Sequence, residues 1–130
     1  MAFPEKARPL DDNRVSGIYE APIDDELLRE IGDKIAKGIR TRVMTCLKYE
    51  QNIEEGKETN SQLLMLYERA IGHQYFEDCI FGVSIMGKKT LFALELYLYR
   101  KGLIHERKFQ QIMKRKTANR KNKPAYLDID

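Results

Sequence analysis

The chain is short of the residues that staple, bend or broaden a fold. Its two cysteines, Cys46 and Cys79, lie far apart with no Cys-x-x-Cys spacing, which argues against a disulfide scaffold and against a thiolate metal knot. Both are expected as small apolar residues on helices. Four prolines and eight glycines in 130 residues exclude a fibre or a low-complexity chain. Valine occurs only at Val15, Val43 and Val83, while Leu, Glu, Lys and Arg are abundant, a bias toward helix over sheet. The most apolar run, 79–99, is interrupted by Lys88, Lys89 and Glu95, too many charges for a membrane span. The opening MAFPEKARPLDD has prolines and charges where a secretory signal needs an apolar core, so a cytoplasmic location is expected. No P-loop, nucleophile elbow or glycine-rich dinucleotide turn occurs. The expectation is a protein that is not an enzyme and needs no cofactor.

What is present is enough for one domain. The content is 42% apolar and 33% charged, and a chain of this length buries roughly two-thirds of its unfolded surface. The net charge of +3 conceals a segregation. Residues 1–99 carry 13 basic and 17 acidic side chains, whereas residues 100–123 carry 10 basic ones against the single acid Glu106. A mildly negative body with one basic limb points to an anionic partner.

The apolar spacing predicts an all-α protein, a small bundle built on a long antiparallel helical hairpin. Residues 1–22, with three of the four prolines and no periodicity, read as a flexible N-terminal arm pinned locally by Val15, Ile18 and Tyr19. A helical domain follows over 23–117. Asp24 is the expected N-cap of a helix over 24–55, with Ile23 and Leu28 as its hydrophobic staple. Its stripe is Leu28, Ile31, Ile35, Ile39, Val43, Cys46 and Leu47, and Gly32 and Gly38 within it mark close backbone approach. Thr59-Asn60-Ser61-Gln62 fits a capping box opening a second helix over 59–80. The stretch 80–90 reads equally as helix, bend or loop. A third helix, 90–101, is apolar nearly all round and therefore central. Gly102 is its left-handed cap, and a fourth helix runs over 105–117. A flexible C-terminal tail is expected from 118 to 130.

In the fourth helix Phe109, Ile112 and Met113 share a face at about 100° per residue, with Arg107, Lys108, Gln111, Lys114 and Arg115 opposite and Lys116 projecting into the apolar face. Arg107, Lys108, Gln111, Lys114, Arg115 and Lys116 are the candidate nucleic-acid contacts, with Arg120, Lys121 and Lys123 adding phosphate contacts from the tail. Arg and Lys suit guanine edges and phosphates, and Gln suits adenine. The helix–turn–helix order over 91–116 is compatible with a DNA-reading motif, and equally with an ordinary helical hairpin whose outer face is solvated. If about six phosphates were neutralised, log affinity would fall against log salt with a slope of roughly −5.

The same stretch, LELYLYRKGLIHERKFQQIM, resembles the short C-terminal (SHOCT) helical module through Leu94, Leu98, Gly102, Ile104 and Phe109. It departs from that pattern at His105, Arg107 and Lys108, where acidic residues are usual. The resemblance, over 94–113, implies a role in tethering or oligomerisation.

Other sites are weaker. His73 and Glu77, four apart, offer half a metal site with no second cluster, and a surface ion pair accounts for them as well. No metal is therefore assigned. Tyr67, Tyr75 and Tyr97 fall at core spacing, and Tyr99, beside Arg100 and Lys101, is the one tyrosine loosely suited to stacking on a base. The leading expectation is a non-enzymatic accessory or regulatory protein that binds nucleic acid, duplex DNA in particular. The alternative is an interaction module that binds a protein or another copy of itself through Tyr126, Leu127, Ile129 and the first helix.

Overall fold

The computed structural model describes residues 17–51, 57–72, 87–118 and 123–129. Among them the regular elements are all helical: α1 Asp25–Lys34, α2 Ile39–Gln51, α3 Asn60–Gly72, α4 Lys88–Arg100, α5 Lys108–Ala118 and a 3-10 turn Ala125–Asp128. The all-α reading is thus correct for the described residues. The second half of the helix expected over 59–80, with Tyr75, Cys79, His73 and Glu77, lies outside them, as do Val15 and most of 80–90.

The α1 start is encoded as its sequence suggests. The Asp24 carboxylate accepts the Leu27 N–H at 3.1 Å, and Asp25 and Glu26 occupy the positive end of the helix dipole. The single helix expected over 24–55 is corrected, because it breaks at 35–38. The N–H groups of Ile35 and Ala36 are spent on the Ile31 and Gly32 carbonyls. Gly38 then turns the chain at φ 79°, a conformation that costs an L-residue about 1–2 kcal/mol. Two turns apart on one straight helix, Gly32 and Ile39 would be separated by about 10 Å. Here a Cβ on Gly32 would stand 2.6 Å from Ile39 Cγ2. Gly32 is therefore the close-approach glycine that its position in the stripe suggested, whereas Gly38 has open space and serves the turn. The break lets Ile35, Ala36 and Ile39 join the core alongside Leu28, Ile31, Val43, Cys46 and Leu47.

α3 opens on its capping box: the Gln62 side chain reaches back to accept the Thr59 N–H at 2.7 Å. α4 is the hub, packing against α1, α2, α3 and α5, and every residue from Thr90 to Leu98 is buried. Its all-round apolar sequence has the burial it requires.

Both ends expected to be arms include residues that fold onto this core. Of the N-terminal arm, 17–20 form a helical turn, Ile18 and Tyr19 pack on the core, and Pro22 pairs with Thr59 in an isolated bridge. Of the C-terminal tail, Leu127 is 2% exposed and Tyr126 meets the Phe92 ring edge-on at 5.3 Å. The tail's apolar residues drive this: burying one Leu side chain stabilises by about 1.5–3 kcal/mol. No helix among the described residues is long and apolar enough to cross a membrane.

Candidate nucleic-acid interface

The limb that carries the basic residues is built outward from the end of α4. Gly102 adopts φ 80°, the Gly102 N–H donates to Tyr99 O at 3.0 Å, and the Leu103 N–H donates to Leu98 O at 2.9 Å. That pair of bonds is a Schellman closure, and it buries Leu103. α5 then starts at Lys108, three residues later than the expected 105, for a reason that lies on α4.

The first intrahelical bond of α5 runs from the Gln111 N–H to Arg107 O, so Arg107 occupies the N-cap position. An arginine has no acceptor to offer there, and the first turn holds no acid. Glu95, fully buried in the middle of α4, supplies the missing carboxylate. It accepts the Phe109 N–H at 2.7 Å and the Gln110 N–H at 3.1 Å, the two donors that a capping side chain would satisfy. The Tyr67 hydroxyl donates to it from α3 at 2.6 Å, and Arg107 Nε lies 3.7 Å away. Burial pushes the Glu95 carboxyl above its ordinary value, while Tyr67, the two backbone N–H groups and Arg107 pull the other way. Burial, reinforced by the neighbouring carboxylate, drives the Tyr67 phenol far above its usual range. One apolar-looking helix thus anchors another through a single charged side chain.

Phe109 and Met113 seal α5 onto the core. Lys108, Gln111, Lys114 and Arg115 are exposed and, at helical spacing, fall within one arc of about 120°. Lys116 is exposed as well, at the end of the helix beyond its last core contact. Among the described residues, Lys108, Lys114 and Arg115 form no ion pair.

Arg107 is the correction. Expected on the solvent face, it is 8% exposed, its guanidinium carbon 4.9 Å from the Phe92 ring centroid and 5.7 Å from that of Tyr99. It reaches Glu95 rather than solvent because its place at the helix entrance, not its angle on the helix, decides where it points. Lys123 is exposed but meets Asp128 at 2.7 Å. Arg120 and Lys121 lie outside the described residues.

Beside the arc is a polar groove of about 440 Å3, bordered by Tyr99, Arg107, Gln110, Lys114, Lys123 and the carboxylate of Asp128. The Gln110 amide donates to Leu127 O at 3.5 Å and so ties the C-terminal turn to α5. Glu95 and this groove escaped the sequence reading. The trace of Glu95 was its isolation as the lone acid in TLFALELYLY; nothing local marked the groove, which joins Tyr99 to Asp128, 29 positions later.

No three of the described His, Cys, Asp and Glu residues are grouped to hold a metal ion. No family model, curated protein or solved structure matches the chain.

Proposed function

We propose that the protein is a non-enzymatic, cytoplasmic nucleic-acid-binding accessory or regulatory protein whose contact surface is the outer arc of α5. The observation that carries this reading is the helix itself: KFQQIMKRKTA has four basic residues and no acid, and Lys108, Lys114, Arg115 and Lys116 are all exposed. Lys108, Lys114 and Arg115 on one outer arc can follow a phosphate backbone, with Gln111 among them suited to a base edge and Lys116 off the arc at the helix end. The support comes from charge and exposure rather than from a helix-turn-helix motif. The connection between α4 and α5 spans seven residues, longer than the three or four of that motif. The bundle is read as a hairpin in shortened form, with α2 and α3 as its arms.

Duplex DNA is the expected ligand, with Arg120, Lys121 and Lys123 adding contacts. Changing Lys114, Arg115 and Lys116 together to Glu is expected to abolish duplex binding while circular dichroism and the melting temperature stay as in the unmodified protein. Unchanged affinity in that variant rules the surface out.

The alternative, tethering or oligomerisation of the kind the SHOCT resemblance implies, keeps the amphipathic first helix as a carrier, while the tail residues expected to serve with it turn inward. Leu127 is buried, and Tyr126 and Ile129 pack on the core. A stable oligomer by light scattering, with no salt-sensitive affinity for nucleic acid, would favour it nonetheless.

A further inference from the structure

We propose that the groove between Tyr99, α5 and the C-terminal turn receives an unpaired nucleotide of a single-stranded nucleic acid, its base against Tyr99 and its phosphate between Lys114 and Lys123. This rests on the nucleic-acid reading above and adds a single-stranded ligand beside the duplex.

Among the described residues Tyr99 is one of two large apolar side chains left exposed, at 46%. It is the one that borders a cationic cavity. A ring in that setting is what a single-strand site needs, because base stacking requires a π-face and the backbone requires nearby positive charge. The ring is held in place from within. The Arg107 guanidinium lies 5.7 Å from its centroid, and Arg107 is itself fixed by Glu95, so the stacking surface forms before any ligand arrives.

The cavity, about 440 Å3, falls in the range of small-ligand sites, roughly 300–1,000 Å3. It is an open, polar hollow between Tyr99, α5 and the C-terminal turn, wide enough to admit one extruded nucleotide. Lys114 and Lys123 face it from α5 and from the segment after it. The Asp128 carboxylate on Lys123 occupies the place a phosphate oxygen would take. Both members of that pair are about half exposed or more, and such surface pairs are held weakly enough for a competing anion to displace. A larger cavity, about 490 Å3, sets two carboxylates, Glu68 and Glu106, against Lys108 in its wall, whereas the groove sets one, Asp128, against Arg107, Lys114 and Lys123.

The test is fluorescence anisotropy on the full chain with two labelled probes at one salt concentration, oligo(dT) of about 12 nucleotides, within single-strand site sizes, and a duplex of equal length. Tyr99→Ala is expected to weaken oligo(dT) binding about tenfold, the size of one lost stack, and to leave duplex affinity within about twofold. Tyr99→Trp should bind oligo(dT) as well as the unmodified protein. If Tyr99→Ala melts early, Tyr99→Leu keeps cover over Arg107 without a π-face and takes its place. Salt-sensitive duplex binding together with oligo(dT) affinity indifferent to Tyr99 would remove the groove and leave the broader reading standing. No binding of either probe by the unmodified protein would remove both.

Discussion

Two buried tyrosines hold this small bundle together in different ways. Tyr97 on α4 donates to Asn60 Oδ1 at 2.5 Å and accepts the Asp24 N–H at 2.8 Å. Asn60 continues the knot by donating to Ile18 O through its side chain and to Ala21 O through its backbone. Those partners are uncharged amides, and the knot secures the segment leading into α1. Tyr67 on α3 ends instead on a carboxylate, Glu95, that also takes the first N–H groups of α5 and meets Arg107. A neutral knot loses modestly when one bond goes, whereas a buried charge requires its whole set of donors. The basic helix is consequently attached by the less forgiving of the two.

The largest effect should come from breaking the charged knot. Glu95→Ala takes the acceptor from the Tyr67 hydroxyl and from two buried backbone N–H groups and removes the carboxylate that faces Arg107. It is expected to cost about 3–5 kcal/mol in urea denaturation, with salt-sensitive nucleic-acid affinity lost alongside. Next come the matched hydroxyl deletions. Tyr67→Phe removes a bond to an ionisable group and should cost about 1.5–3 kcal/mol, while Tyr97→Phe, acting on amides, should cost about 1–2 kcal/mol. Equal losses from the two would erase the distinction drawn between the knots.

Two carboxylates, Asp24 at the start of α1 and Glu95 in the charged knot, carry opposite pH signs. The Leu27 N–H, with Lys101 adding to it against the effect of burial, holds Asp24 below its ordinary carboxyl value. Its contribution is present above that value and fades as pH falls through the folded one. Glu95 is raised by burial. Its contribution is full below the ordinary value of 4.5 and fades as pH rises through the folded one. Glu95→Gln, which does not titrate, should flatten the decline in melting temperature on the rising side and leave the acid limb to Asp24. An unchanged pH profile in that variant would mean that Glu95 is not the titrating group. Tyr97, pushed up to about 12 by burial, stays protonated throughout that range. The smallest effect belongs to Asp128→Asn, expected to change stability by less than about 0.5 kcal/mol while tightening oligo(dT) binding about twofold as Lys123 is released.

Local signals carried most of the fold. Asp24, the Gln62 capping box, the Gly102 turn and the apolar run of α4 each act within a few residues, so each was readable. The break at 35–38 was not, because Ile35 and Ile39 continue a helical stripe on either side of it. Only packing reveals that Gly32 admits Ile39. The exposed arc of α5 followed from periodicity. The burial of Arg107 did not, since it depends on a carboxylate 12 positions earlier on another helix. The return of Leu127 to the core was hidden by a basic stretch that reads as solvated throughout.

The most direct measurement of the central claim is duplex affinity across a salt series. If the four exposed cations of α5 neutralise about four phosphates, the log–log slope should lie near −3.5 and steepen toward −5 as tail residues join. A slope in that interval, lost when Lys114, Arg115 and Lys116 become Glu, is the result expected. Affinity that is absent, or unmoved by salt, contradicts the account.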